Sequence, residues 1–211
     1  MWLESALLLT ALVAAFACRP WQLLGHGHTL LTPLLATLVL LPWVWALPSL
    51  HAMPLQLPWS GACLVMLMLG WPLAVPVLIF VAVLAVLLSP LSLGAAIGLA
   101  VWQGVVPATL ALALGWSIRR LLGEHLFVYL LGRTFIGTVL CVFAGAALSD
   151  AFGHTLPPTI SGELSLVARW LMAWGDAFVT GTLCTMMVAF RPQWLATWSD
   201  RLYLKTPINK T

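Results

Sequence analysis

Long apolar runs, each closed by a charge or a proline, follow one another along the chain. Leu3 to Cys18 is the first, ended by Arg19-Pro20. Thr29 to Leu47 is the second, ended by Pro48 and a proline-rich stretch reaching Pro58. Trp59 to Leu88 comes next, then Ser89-Pro90, then Leu91 to Trp116, Leu126 to Leu148 and Leu166 to Phe190. A membrane-crossing helix takes about 20 apolar residues, so these runs predict transmembrane helices. Trp59–Leu88 is the exception. As one helix it would be about 45 Å long, against a hydrocarbon core of about 30 Å. Gly70-Trp71-Pro72 lies inside it, where a helix kinks or stops, and Pro76 follows one turn later.

Charge decides between one span and two. Lys and Arg collect in cytoplasmic loops. With a break at Gly70-Trp71-Pro72 there are seven spans, and Arg19, Arg119, Arg120, Arg191, Arg201, Lys205 and Lys210 all fall on the inner side of an N-out, C-in chain. The outer loops around 48–58 and 149–165 then hold no Lys or Arg. A single span would put Arg119 and Arg120 opposite the basic tail. The expectation is an all-α polytopic membrane bundle of about seven helices over residues 1–190, with a short basic cytoplasmic tail at 191–211.

Composition agrees. Of the 211 residues 62% are apolar and 7% charged, with a net charge of +3. Soluble domains carry about a quarter charged residues, and a nucleic-acid module needs a basic face, so both classes are excluded. Met-Trp-Leu-Glu opens the chain with no basic n-region, which argues against a cleaved signal peptide. The four cysteines, Cys18, Cys63, Cys141 and Cys184, lie far apart and read as small buried hydrophobes. Tryptophans near span ends, such as Trp2, Trp43 and Trp198, suit an interfacial belt. No hydrolase, haem or P-loop pattern is present, so an enzyme is not expected and ATP-driven work needs another subunit.

Charges within spans are expensive unless paired or hydrated. Arg133, Arg169 and Asp176 qualify. Arg169 sits near the outer end of the last span, where it can snorkel, and Arg133 about two turns from the inner end of its own. Asp176 has no such escape, lying about 15 Å along its span by helix rise. By 3.6 periodicity it shares a face with Thr180, Leu183 and Met187, beside a small-residue stripe of Ala173, Ala177, Gly181 and Thr185. Two roles stay open for Asp176, a structural lock between helices or a substrate or proton site, with Arg133 a candidate partner. Histidines supply the candidate metal ligands: His26 and His28 inside, and a scattered outer set of Met1, His51, Met53 and His154. Ala11 and Ala15 in the first span form a small-xxx-small pair suited to a partner helix.

Several stretches also resemble a known family. They are Leu67-Met68-Leu69-Gly70-Trp71-Pro72-Leu73-Ala74, His125-Leu126-Phe127-Val128-Tyr129 and Gly175-Asp176-Ala177-Phe178-Val179-Thr180-Gly181. The closing Phe190-Arg191-Pro192-Gln193-Trp194 and Asp200-Arg201-x-Tyr203-Leu204 complete the pattern. Over roughly residues 60–205 the chain resembles the CbiM-like permeases, the cobalt and nickel substrate-binding components of energy-coupling-factor ABC transporters. The resemblance implies a bundle of about seven helices in the bacterial inner membrane that captures a divalent transition-metal ion as substrate at its outer face. It also implies a transmembrane coupling subunit and ATPase subunits as partners, and no other cofactor. The chain departs from the pattern at Trp2, where relatives carry a chelating histidine, at Pro58 for another histidine, at Ala100 for an asparagine, and at Asp176 for a glutamate. The alternative is a membrane scaffold or accessory subunit that kept the fold and lost the ligands.

Overall fold

The computed structural model describes residues 2–21, 28–50, 59–123, 125–153 and 162–203. Among them there are helices and no strand: α1 (Trp2–Ala17), α2 (Leu31–Leu50), α3 (Ala62–Leu69), α4 (Trp71–Leu88), α5 (Leu93–Leu122), α6 (Val128–Ala151), α7 (Gly162–Phe190) and the short α8 (Asp200–Tyr203). α2, α4, α5, α6 and α7 are long and apolar enough to cross a membrane, and α1 is apolar but shorter at 16 residues. Large apolar side chains point outward all round, among them Val13, Leu40, Leu112 and Leu171, and Leu87 is 76% exposed. A surface apolar on every side is the mark of lipid contact. The chain is a multi-pass helical membrane protein.

The break expected at Gly70 is present. Gly70 adopts φ 75 and ψ 154, a conformation suited to glycine, and separates α3 from α4. The half before the break is shorter than the apolar pattern suggested. α3 has eight residues, about 12 Å by helix rise, and all eight are buried. It therefore lies inside the bundle as a half-helix, preceded by non-helical backbone at Trp59–Gly61. Two further boundaries move. α2 continues through Pro48 to Leu50, because a proline in the last turn forfeits only one intrahelical bond. α5 runs on to Leu122, so Arg119 and Arg120 occupy its last turn, where cations complement the helix dipole.

The two ends of the bundle are read from contacts. The turn His28–Leu30 ahead of α2 packs on the turn Pro192–Trp194 after α7. Tyr129 at the start of α6 shares a hydrogen bond of 2.9 Å with Thr197. These contacts, with Arg119, Arg120 and Arg191, define an arginine-rich end. At the opposite end Trp102 of α5 stacks on Phe152 after α6 at 5.2 Å, and Arg169 of α7 pairs with Asp150 in the last turn of α6.

Residues 192–203, expected as part of a tail, close the arginine-rich end. Leu195, Trp198 and Tyr203 are buried there, with Tyr129, Trp198 and Tyr203 forming a ring cluster whose centroids lie 4.7–5.0 Å apart. The last carbonyls of a helix have no intrahelical donor. For α3 the missing donors come from this foot: Ala196 N–H donates to Met68 O at 2.9 Å, and Thr197 donates to Leu67 O through its N–H and its hydroxyl.

Two small-residue stripes find different uses. Ala173, Ala177 and Gly181 of α7 pack on α6, against Val139 and Phe135, as their spacing predicted. Ala11 and Ala15, expected to face a partner subunit, are spent inside: Ala15 is fully buried with Val75 and Val105. Close packing of α1 on the bundle needs small residues there, so this pair is not an outer surface.

Candidate functional site

The polar centre of the bundle is built around the break before α3. Pro107 has no N–H, so the carbonyl of Gln103, four residues earlier in α5, loses its helical donor. The Ser60 hydroxyl replaces it, donating to Gln103 O at 2.6 Å. The surrounding turn, Ala100–Val105, widens to a π-helix. Gly104 has no side chain, so Trp45 of α2 can approach: a Cβ there would meet the indole at 3.2 Å. From that position the Trp45 indole donates to Ser60 O at 3.1 Å. Two helices thus converge on one non-helical residue.

Asp176 completes the arrangement from α7. It is 2% exposed, and its Oδ2 accepts from the Ser60 N–H at 3.0 Å and the Gly61 N–H at 3.3 Å. Its other oxygen lies 3.5 Å from the Thr180 hydroxyl. The carboxylate therefore stands at the N-terminus of α3, where unsatisfied amides and the helix dipole favour negative charge. The carboxylate caps a half-helix inside the membrane. The Trp59 indole nitrogen is buried facing the Asp176 carboxylate, and the buried Gln103 Oε1 has no hydrogen-bond partner among the described residues.

Gly61, the N-cap, is held at φ 63 with Leu41 3.0 Å and Trp59 3.1 Å from where a Cβ would stand. Gly61→Ala is expected to cost at least the ~1–2 kcal/mol of a left-handed L-residue, with further crowding against Leu41. Gly175→Ala, where nothing lies within 4 Å, is the control and should match the wild type or exceed it. Thermal midpoints of the two variants in detergent check this.

The sequence-predicted residues fare differently. Asp176 and Thr180 come together as expected. Arg133 joins neither: its guanidinium packs against Gly115 of α5, 5.7 Å from the Tyr129 ring centre. Arg169, expected to snorkel, instead pairs with Asp150 of α6, a nearer anion than the headgroups. Met1, His51, Met53 and His154 lie outside the described residues, as do His26 and the side chain of His28. Sequence reasoning missed Ser60, Gly61, Trp45 and Gln103. The Gln103…Pro107 spacing was the available signal, since a mid-span proline always frees the carbonyl four residues back. It also passed over Glu4, which is buried and accepts from the Trp102 indole at 3.0 Å.

Comparisons with protein-family models, with curated proteins and with solved structures find no match for this chain.

Proposed function

We propose that the chain is the membrane substrate-binding component of an energy-coupling-factor type transporter in the bacterial inner membrane. It passes the membrane seven times, N-terminus outside and C-terminus inside, with α3 and the stretch before it making the third passage. The arginine-rich end is the cytoplasmic one. The substrate is a small one captured at the outer end, with a divalent transition-metal ion as the leading class and Met1, His51, Met53 and His154 as its ligands. A coupling subunit and ATPases supply the energy. The observation that carries this reading is the non-helical stretch Trp59–Gly61 ahead of the fully buried half-helix α3. Non-helical backbone at membrane depth occurs only where protein buries it or a cavity is lined by it, and discontinuous helices near the midplane are where transporters place their sites. Asp176 and Thr180 stand on that path.

The second reading, a scaffold or accessory subunit, is favoured by one specific feature: the Asp176 carboxylate is engaged by the protein's own Ser60 and Gly61 amides. Elemental analysis tests the metal substrate. The detergent-purified protein, grown with a panel of divalent metals, is expected to hold near-stoichiometric metal that falls in His51→Ala. A folded protein with no metal above background would reject a metal substrate at those ligands and move the assignment to an organic substrate or to the accessory role.

A further inference from the structure

One cation at the arginine-rich end has no anion beside it among the described side chains. Arg133 lies in the π-helical stretch that opens α6, Val128–Ile136. Its guanidinium fills a notch in α5, where a Cβ on Gly115 would stand 2.6 Å from Nε and 2.9 Å from Cζ. Nε is buried and makes no hydrogen bond. The carboxylates whose side chains are described are engaged elsewhere. Glu4 accepts from Trp102, Asp150 from Arg169, Asp176 from Ser60 and Gly61, and Asp200 from Trp198. The Tyr129 ring gives the charge a cation–π contact at 5.7 Å, which is weaker compensation than an anion at membrane depth.

The ground around the notch is basic, interfacial and apolar. Arg119 is one helical turn beyond Gly115 on the same face of α5, and Arg120 lies over the Trp116 ring at 5.3 Å. Trp116 is 63% exposed, as a headgroup-level tryptophan is. Leu112, Leu121 and Leu122 beside it are exposed too, a surface for acyl chains rather than for water or an acidic loop.

We infer that Arg133 in its Gly115 notch, flanked by Arg119 and Arg120, binds the phosphodiester headgroup of an anionic phospholipid of the inner leaflet. A guanidinium presents donors in a planar fork that matches phosphate oxygens, and basic pockets between transmembrane helices on the cytoplasmic side recognise such headgroups. The site needs the membrane assignment and, for the choice of leaflet, the orientation proposed above; it is independent of any transported substrate. A lipid is favoured over a partner's acidic side chain because the tryptophan and leucines around the cations face the lipid.

Native mass spectrometry of the full chain, delipidated in detergent and titrated with phosphatidylglycerol or phosphatidylcholine, tests the site. The wild type is expected to retain phosphatidylglycerol at least tenfold over phosphatidylcholine, and Arg133→Gln to lose most of that preference. Gly115→Ala keeps every charge but crowds the notch, so it should weaken retention several-fold, and it carries the test if Arg133→Gln fails to fold. Equal retention of the two lipids by the wild type would overturn the inference, as would unchanged phosphatidylglycerol retention in Gly115→Ala. Loss of a co-purifying membrane protein in Arg133→Gln, with lipid retention intact, would also overturn it and assign the cation to a protein partner.

Discussion

Asp176→Ala is expected to destabilise the protein strongly. The change strips the acceptor from two backbone amides, Ser60 at 3.0 Å and Gly61 at 3.3 Å, in a stretch with no helical partner of its own. Hydrogen bonds between membrane helices average only about 0.6 kcal/mol, because the separated helices find other partners. That low figure does not transfer here. The acceptor is charged, and hydrogen bonds to charged groups are worth about 1.5–3 kcal/mol each. Orphaning buried amides adds a desolvation cost of similar size. A loss of about 3 kcal/mol or more follows, read as a large drop in the thermal midpoint or in monodisperse yield. Asp176→Asn keeps a neutral acceptor and should cost roughly 1 kcal/mol. The pair of variants also separates the roles that the sequence left open. If Asp176→Asn remains folded but no longer transports, the charge handles substrate or protons. If it folds and transports, Asp176 is a cap and nothing more.

The foot at 192–203 gives the second large effect. Trp198 packs edge-on to Tyr129 at 4.8 Å and stacks on Tyr203 at 4.7 Å. Its loss should undock the segment that supplies donors to Leu67 and Met68 at the end of α3. Tryptophan-to-alanine changes in packed sites cost about 3–5 kcal/mol, and each 1.4 kcal/mol is a factor of ten in an equilibrium. Trp198→Ala is therefore expected to raise tryptic cleavage after Arg201, within the foot, in detergent by at least tenfold. Trp198→Phe, which keeps a ring against Tyr129, should stay within a few-fold of wild type. Cleavage at the wild-type rate in Trp198→Ala would show that the foot is not held by this cluster.

α3 explains why these two sites matter together. Its N-terminus is capped by Asp176 in the middle of α7, and its C-terminus by Ala196 and Thr197 just past the end of α7. One continuous segment of chain thus brackets the half-helix at both ends. Movement of α7 relative to the bundle must carry α3 with it or break these bonds. Under the proposed transport function, that coupling would make the α3–α7 pair a single moving part.

Local pattern was enough for the positions of most helices, since a long apolar run in a membrane has no alternative to forming one. The break at Gly70 was legible for the same kind of reason, because Gly-Trp-Pro disfavours helix whatever surrounds it. That Ala173, Ala177 and Gly181 pack closely against another helix was legible from spacing; that the helix is α6 was not. Arg169 was not: its partner Asp150 lies across a loop, and a sequence gives no distance between them. Nor was the inward use of Ala11 and Ala15, because a small stripe marks close approach without naming the neighbour.

The polar centre divides the same way. The sequence by itself determined that the chain lives in a membrane, that its third apolar run must break, and that Asp176 is too deep to reach water. Only the tertiary structure decided which groups the acid meets. Ser60 and Asp176 are 116 residues apart, and Pro107 acts on both through a carbonyl it leaves without a donor. Each of those facts is local, but the requirement that every buried backbone group find a partner is met only when α2, α3, α5 and α7 are assembled.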